Sequence, residues 1–154
     1  MNEKDFIGKI VVSMSDGAKV GTVKDLVFHG LGLSDLLVAG ERGEGLLPFD
    51  QIGTNGPDAV TVPSYSVIDW NAGRLMEPDR RNTHDLRKLS VVDSDGTMLG
   101  TVHDLTMTKA GKIQEIDVRT EGVFGLGAVH TMVAGGHIRA IGAQMITVDS
   151  VSKK

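Results

Sequence analysis

The sequence predicts an all-β chain in which one small module is used twice. Three observations carry this. First, residues 10–28 and 89–107 are close to the same sequence: Ile10–Phe28 lies over Leu89–Met107 with nine of nineteen positions identical, and a repeat of this kind decides architecture before anything else. Second, 20 of the 154 residues are glycine, so turns are frequent and strands short. Third, no 3.6-residue apolar stripe lasts beyond about two turns, whereas β-branched runs bounded by Gly, Asp and Pro recur along the chain.

The first module opens on the β-branched run Lys9–Ser13. Asp16-Gly17 then stands between two apolar segments, a hairpin signal because Gly reaches the positive φ of a tight turn. The return strand is Lys19–Phe28. Its alternation slips near Lys24-Asp25, since Val20, Thr22, Leu26 and Phe28 share one face while Val23 is apolar on the other. Burial on both faces or a β-bulge explains such a slip, and it recurs at Val102–Leu105. A Gly30/Gly32 turn leads to a strand at Ser34–Ala39, a Gly-rich turn at Gly40–Gly45, and a strand at Gly45–Phe49. Turn chemistry at Thr54–Asp58 precedes the last strand, Ala59–Pro63. Pro48 and Pro63 lack a ladder donor and mark edges or strand ends.

The second module repeats the order: Leu89–Val92, a turn at Asp95-Gly96, Met98–Met107, a turn at Lys109–Lys112, and Ile113–Arg119. Leu33–Val38 matches Ile113–Val118, and Ile52–Val62 matches Ile138–Val148. Between these, the second copy carries an uncharged, glycine-rich segment, Gly122–Gly136, read as an elongated hairpin or a loop covering a partner surface. The expected organisation is a first domain at 1–65, a linker at 66–83 rich in mixed charge, and a second domain at 84–152.

Composition narrows the function classes. There is no Cys, which excludes disulfide scaffolds, zinc–thiolate sites and thiol nucleophiles. The charged N-terminus has no apolar core of a signal peptide, and no apolar run approaches the roughly 20 residues of a membrane span; a cytoplasmic protein is expected. Net charge is −4, all of it in residues 1–75, and neither half clusters Lys and Arg as phosphate contacts require. Four Phe, one Tyr and one Trp supply few stacking platforms, which argues against single-stranded nucleic acid. Each half, at about 65 residues, is marginal for core burial, so the halves are expected to lean on each other or on a second chain.

The Gly-Lys-Ile-Val opening at Gly8–Val11, the Asp16-Gly17 turn, Val20–Val27, the Leu36–Val38 strand and Leu46–Ile52 together resemble the PRC-barrel family. The second copy matches more loosely after Val118. The resemblance implies two tandem, small, strongly bent β-barrels of about six strands, packed together. Relatives include the cytoplasmic part of the photosynthetic reaction-centre H subunit and the C-terminal half of the ribosome maturation factor RimM. The resemblance implies docking or assembly, with no shared catalytic residues; fold alone does not fix activity. This chain lacks the H subunit's membrane helix and RimM's N-terminal RNA-associated domain, so neither role carries over.

Weighed residue by residue, the candidate sites are mostly structural. Asp25 and Asp104 occupy the same place in both copies, four residues after Gly21 and Gly100. They are read as carboxylates accepting backbone N–H groups that a bulge leaves over, with proton handling or cation ligation as the functional alternative. Asp16, Gly17, Asp95 and Gly96 are read as turns. The histidines, His29, His84, His103, His130 and His137, show no i, i+2 or i, i+4 spacing, and adjacent strand residues such as His103 and Asp104 point to opposite faces. Solvated surface positions are expected for them, with no metal site. Gly40–Gly45 and Gly122–Gly127 lack the Lys-Ser/Thr and following helix of a phosphate cradle. Ser64, His84 and Asp85 have no nucleophile elbow around them. No catalytic residue and no cofactor are therefore expected. Arg80-Arg81 is read as a solvated stretch or a contact for an acidic partner.

Apolar surface carries the remaining signal. Leu31 and Leu33, with Val123, Phe124, Leu126, Val129 and Met132, place large apolar side chains where a small barrel is normally polar, and such patches mark contact sites. The expectation is a non-enzymatic docking or assembly adaptor for protein partners, as a homodimer or larger homo-oligomer. The alternatives are a RimM-like ribosome- or RNA-associated factor and a small-ligand or metal module.

Overall fold

The computed structural model describes residues 1–71, 79–120 and 129–150. The chain divides into two units, Met1–Thr83 and His84–Lys154, each a single curled sheet. Helix is confined, among the described residues, to the four-residue α1 (Thr83–Leu86) and short 3₁₀ turns.

In the first unit β1 (Ile10–Ser13), β2 (Lys19–His29), β3 (Gly32–Gly40) and β4 (Gly43–Pro48) form consecutive antiparallel pairs. The short β5 (Thr54–Asn55) precedes β6 (Ala59–Val62), which lies parallel to β1 with Val11 opposite Val60. The sheet order is β4-β3-β2-β1-β6-β5, and β7 (Arg80–Asn82) is added beside the far half of β2. The second unit repeats this with β8 (Ser90–Asp93), β9 (Met98–Met107), β10 (Ile113–Thr120), β11 (Val129–Ala134), β12 (Ile138–Ile141) and β13 (Met145–Val148), in the order β11-β10-β9-β8-β13-β12. Val91 lies opposite Ile146 in the parallel pair. Pro48 ends β4, and Pro63 directly follows β6, as residues without a donor N–H should.

The two ladders agree down to their irregularities. β2 shifts register against β3 between Val23 and Asp25 and again between Val27 and Phe28. β9 shifts against β10 at the equivalent places, Val102/Asp104 and Thr106/Met107. Gly21 and Gly100 allow the close approach that bends each long strand. A Cβ on Gly21 would lie 2.5 Å from the Ala39 carbonyl oxygen, and one on Gly100 would lie 2.1 Å from that of Arg119.

One correspondence differs from the ungapped sequence overlay. That overlay sets Val12 over Val91, but Val11 pairs with Gly21 and Val91 with Gly100, so Val11 and Val91 are the equivalents. The physical reason is the turn: five residues separate Ser13 from Lys19 and four separate Asp93 from Met98 in their matching positions. In the shorter turn the Asp93 carboxylate accepts the N–H groups of Asp95 and Thr97 at 2.9 and 3.0 Å. In the longer one Asp16 accepts the Ala18 N–H at 3.2 Å.

Each barrel has its own apolar interior. Phe6, Val11, Val23, Leu26, Phe28, Leu36, Val38, Leu47, Val60 and Val62 fill the first; Leu86, Val91, Val102, Leu105, Met107, Ile116, Val118, Val133, Ile146 and Val148 fill the second. Burying one such side chain contributes about 1.5–3 kcal/mol.

The segment expected as a linker, 66–83, belongs in its described parts to the first unit. Ile68 is buried, Asp69 and Leu46 exchange backbone hydrogen bonds at 2.8 and 2.9 Å, and β7 pairs with β2. The Gly-rich turn expected at Gly40–Gly45 is likewise shorter, because Gly40 and Gly45 are strand residues that pair with Gly43 and Val38. They are glycines because Trp70 lies on them: a Cβ on Gly40 or Gly45 would meet its indole at 2.6 or 2.7 Å.

Candidate functional site: an outer trough, covered in one barrel and open in the other

The most informative region is the convex face of each sheet where its second, third and fourth strands run side by side. In the first barrel, the six positions of this region are Asp25 and Val27 on β2, with Leu26 between them turned to the interior, Asp35 and Leu37 on β3, and Leu46 on β4. All six are buried, and Val27, Leu37 and Leu46 form one apolar cluster. A strand buried on one face only alternates, so the unbroken burial of Leu26–Phe28 and Leu36–Val38 requires a second layer. Residues 80–83 contribute to it, with Arg80 reaching Asp35 and Thr83 reaching Asp25. Asn82 lies opposite Val27 and Asp69 bridges to Leu46 at the sheet edge, while Trp70, stacked on Tyr65 with ring centroids 5.3 Å apart, packs on Gly40 and Gly45 of the inner face.

This cover is held by polar contacts at its edge. The Arg80 guanidinium donates to the Asp35 carboxylate at 2.8 Å and to Ser34 Oγ at 2.7 Å. Asp35 is 1% exposed, so the guanidinium compensates a carboxylate that has left water. The Thr83 hydroxyl donates to the Asp25 carboxylate, whose same oxygen accepts the Leu26 N–H at 2.8 Å. Arg80, expected as a solvated or partner-binding cation, is thus an internal strut.

The equivalent six positions in the second barrel, set by the shared register, are Asp104, Leu105, Thr106, Glu115, Asp117 and Met132. They line an open trough of about 130 Å³. The apolar trio Val27/Leu37/Leu46 is here Thr106/Asp117/Met132. Burial along β9 and β10 alternates, with Leu105, Met107, Ile116 and Val118 inside and their neighbours partly exposed. Met132 is 51% exposed where Leu46 is fully buried. Among the described residues, no strand stands beside β9 in the place of β7. On the inner face, Thr120 and Thr131 stand where the first barrel has Gly40 and Gly45 beneath Trp70.

The sequence-derived candidates fall as follows. Asp104 accepts the Leu105 N–H at 2.8 Å, the same local bond that Asp25 makes. Leu33 is buried and belongs to the core, because its strand position faces inward; Leu31 is half-buried. Val129, at 63% exposure, and Met132 are exposed on the terminal strand β11, which pairs with β10 from Thr120↔Val129 to Glu115↔Ala134. Val123, Phe124 and Leu126 lie outside the described residues.

His103 and Asp104 do not take opposite faces as regular alternation predicts. The bulge between Val102 and Asp104 brings both to the outer side. There the His103 ring stands edge-on to His130, at 6.5 Å between centroids. His130 Nδ1 lies 3.0 Å from the Asp117 carboxylate and accepts from Arg119 Nε at 3.2 Å. These residues form a polar cluster beside the trough, although the described residues contain no group of three or more donors arranged to hold a metal ion. Ser64 acts locally, accepting the Ser66 N–H at 3.0 Å. A second cavity, about 280 Å³ and bordered by Asp16, Lys19, Glu41, Arg42, Tyr65 and Trp70, mixes both charge signs without convergence.

A pair of curled sheets that repeat one strand order and the same shifts along their longest strands defines a tandem small-barrel protein. The chain matches the PRC-barrel domain over residues 1–68 and again over 78–154. It therefore belongs to the PRC-barrel family and contains the domain twice. No curated protein matches it.

The trough was missed by sequence reading, yet a signal for it exists. Leu26-Val27-Phe28 and Leu36-Leu37-Val38 are continuous apolar runs, whereas Leu105-Thr106-Met107 and Ile116-Asp117-Val118 alternate. Compared copy against copy, that switch distinguishes strands covered on both faces from strands covered on one.

Proposed function

We propose that this chain is a non-enzymatic docking or assembly adaptor that engages protein partners in the cytoplasm and works as a homo-oligomer. The observation that supports this reading best is the outer side of the second barrel. There the terminal strand β11 presents Met132 to solvent within the trough, at the position where the first barrel buries Leu46, and leaves Val129 exposed near the strand's start. Exposed apolar side chains rimmed by polar ones are the usual composition of a contact surface. The carboxylates Asp104, Glu115 and Asp117 on that side repel phosphate, which favours protein partners over RNA.

The test is cross-linking in the native cell, followed by light scattering of the purified chain. The expected result is a reproducible protein partner whose cross-links map to β9–β11 and are lost in Val129→Asp/Met132→Asp. A chain that is monomeric at micromolar concentration and captures no reproducible partner overturns the reading.

A further inference from the structure

We propose that the open trough of the second barrel binds an extended, basic protein segment carrying an arginine and, three residues later, a threonine or serine. This rests on the docking reading and names the chemistry of the partner. The argument comes from the first barrel, which displays the occupied form of the same site. Its own residues 80–83, Arg-Arg-Asn-Thr, run antiparallel to β2 with Arg80 opposite His29 and Asn82 opposite Val27. Arg80 reaches Asp35, and Thr83 reaches Asp25.

The second barrel keeps both receiving carboxylates in register. Glu115 stands where Asp35 does, opposite Thr106, and Asp104 stands where Asp25 does, opposite Asp117. Among the described residues the Glu115 side chain has no hydrogen bond or ion pair, and the Asp104 carboxylate has only its own Leu105 N–H. The first copy engages its two carboxylates with a guanidinium and a hydroxyl. The second copy preserves the acceptors, opens the space in front of them, and replaces the apolar floor of Val27 and Leu37 with Thr106 and Asp117. That exchange suits a polar, positively charged strand over the apolar cover of the first barrel. Arg matches a carboxylate through its fixed fork of donors, and Met132 supplies an adaptable apolar wall for its aliphatic stem.

The experiment uses the full chain, isotopically labelled, titrated with a synthetic peptide of the sequence Asp79–Leu86 and followed by amide chemical shifts. The expected result is saturable shifts at Asp104, Thr106 and Glu115. Glu115→Lys should weaken binding at least tenfold, Glu115→Gln should weaken it less, and a peptide with glutamate in place of both arginines should not bind. The peptide series involves no change in the protein, so it stands even if a variant folds poorly. No saturable shift up to millimolar peptide overturns the proposal. So do shifts confined to Val27–His29, which mean that the peptide only exchanges with β7. Concentration-dependent protection of the trough amides without peptide also overturns it, because the occupant is then a second copy. Retention of a cellular partner sensitive to Val129→Asp, with no peptide effect, rejects this inference and leaves the docking reading standing.

Discussion

The outer face of the first barrel and that of the second share a backbone and differ in what lies over them. On β2, β3 and β4 the residues Val27, Leu37 and Leu46 are buried, and Arg80 of β7 pairs with Asp35 across this face. Over β9, β10 and β11 the same positions hold Thr106, Asp117 and Met132 and form an open trough. Duplication supplied two copies of one groove. One is apolar and buried, and the other has a polar lining and is open.

The comparison breaks most sharply at Leu46 and Met132. Truncating a fully buried leucine leaves a cavity as well as lost transfer energy. Leu46→Ala is expected to destabilise the first barrel by about 2–5 kcal/mol. Met132→Ala, at an exposed position, should stay within about 0.5 kcal/mol. Hydrogen exchange resolved by peptide reads the two barrels separately, and equal effects would refute the covered-versus-open distinction.

Next comes the strut. Arg80→Ala strands the Asp35 carboxylate away from water, an effect of about 3 kcal/mol, whereas Glu115→Ala removes a group with no partner among the described residues and should leave urea unfolding of the second barrel unchanged. Arg80→Ala/Asp35→Leu should recover most of the loss, because the penalty lies in the unpaired charge; no recovery would place the defect in backbone disruption of β7 instead. Thr83→Ala deletes one hydrogen bond to Asp25 and should cost about 1 kcal/mol, seen as faster exchange along β2 and no change along β9.

The smallest effect separates the two hairpin turns. The Ser13 hydroxyl, and then the Ala18 N–H, hold the Asp16 carboxyl below its ordinary value. A depressed carboxylate pKa stabilises the fold above the unfolded value, and that contribution disappears as pH falls through the folded value. Asp16→Asn should therefore lower stability slightly at neutral pH and not at all in strong acid. A chemical-denaturation series across the acid range measures this, and a difference that persists at the lowest pH would rule out the carboxylate as its source.

Much of the fold was legible because it rests on local rules. The Asp-Gly turns announce hairpins, Pro48 and Pro63 mark strand ends, and the slipped alternation at Lys24-Asp25 and Val102–Leu105 falls on ladder shifts in both copies. Less legible was everything that depends on residues far apart in the chain. The charge-rich stretch 66–83 reads as a solvated linker, since nothing local reveals that Arg80 meets Asp35 forty-five residues earlier. His103 and Asp104 read as facing opposite ways until the bulge turns both outward. The trough lay between these cases, visible only when Leu36-Leu37-Val38 is set against Ile116-Asp117-Val118.

By itself the sequence determined that this is an all-β chain with one module used twice, because strand period, turn chemistry and the repeat are written in consecutive residues. Only the tertiary structure decided the parallel closure of β1 on β6 and β8 on β13, and which of the two grooves is filled. Closure and covering depend on where a distant segment comes to rest, and burial, not local propensity, makes that choice.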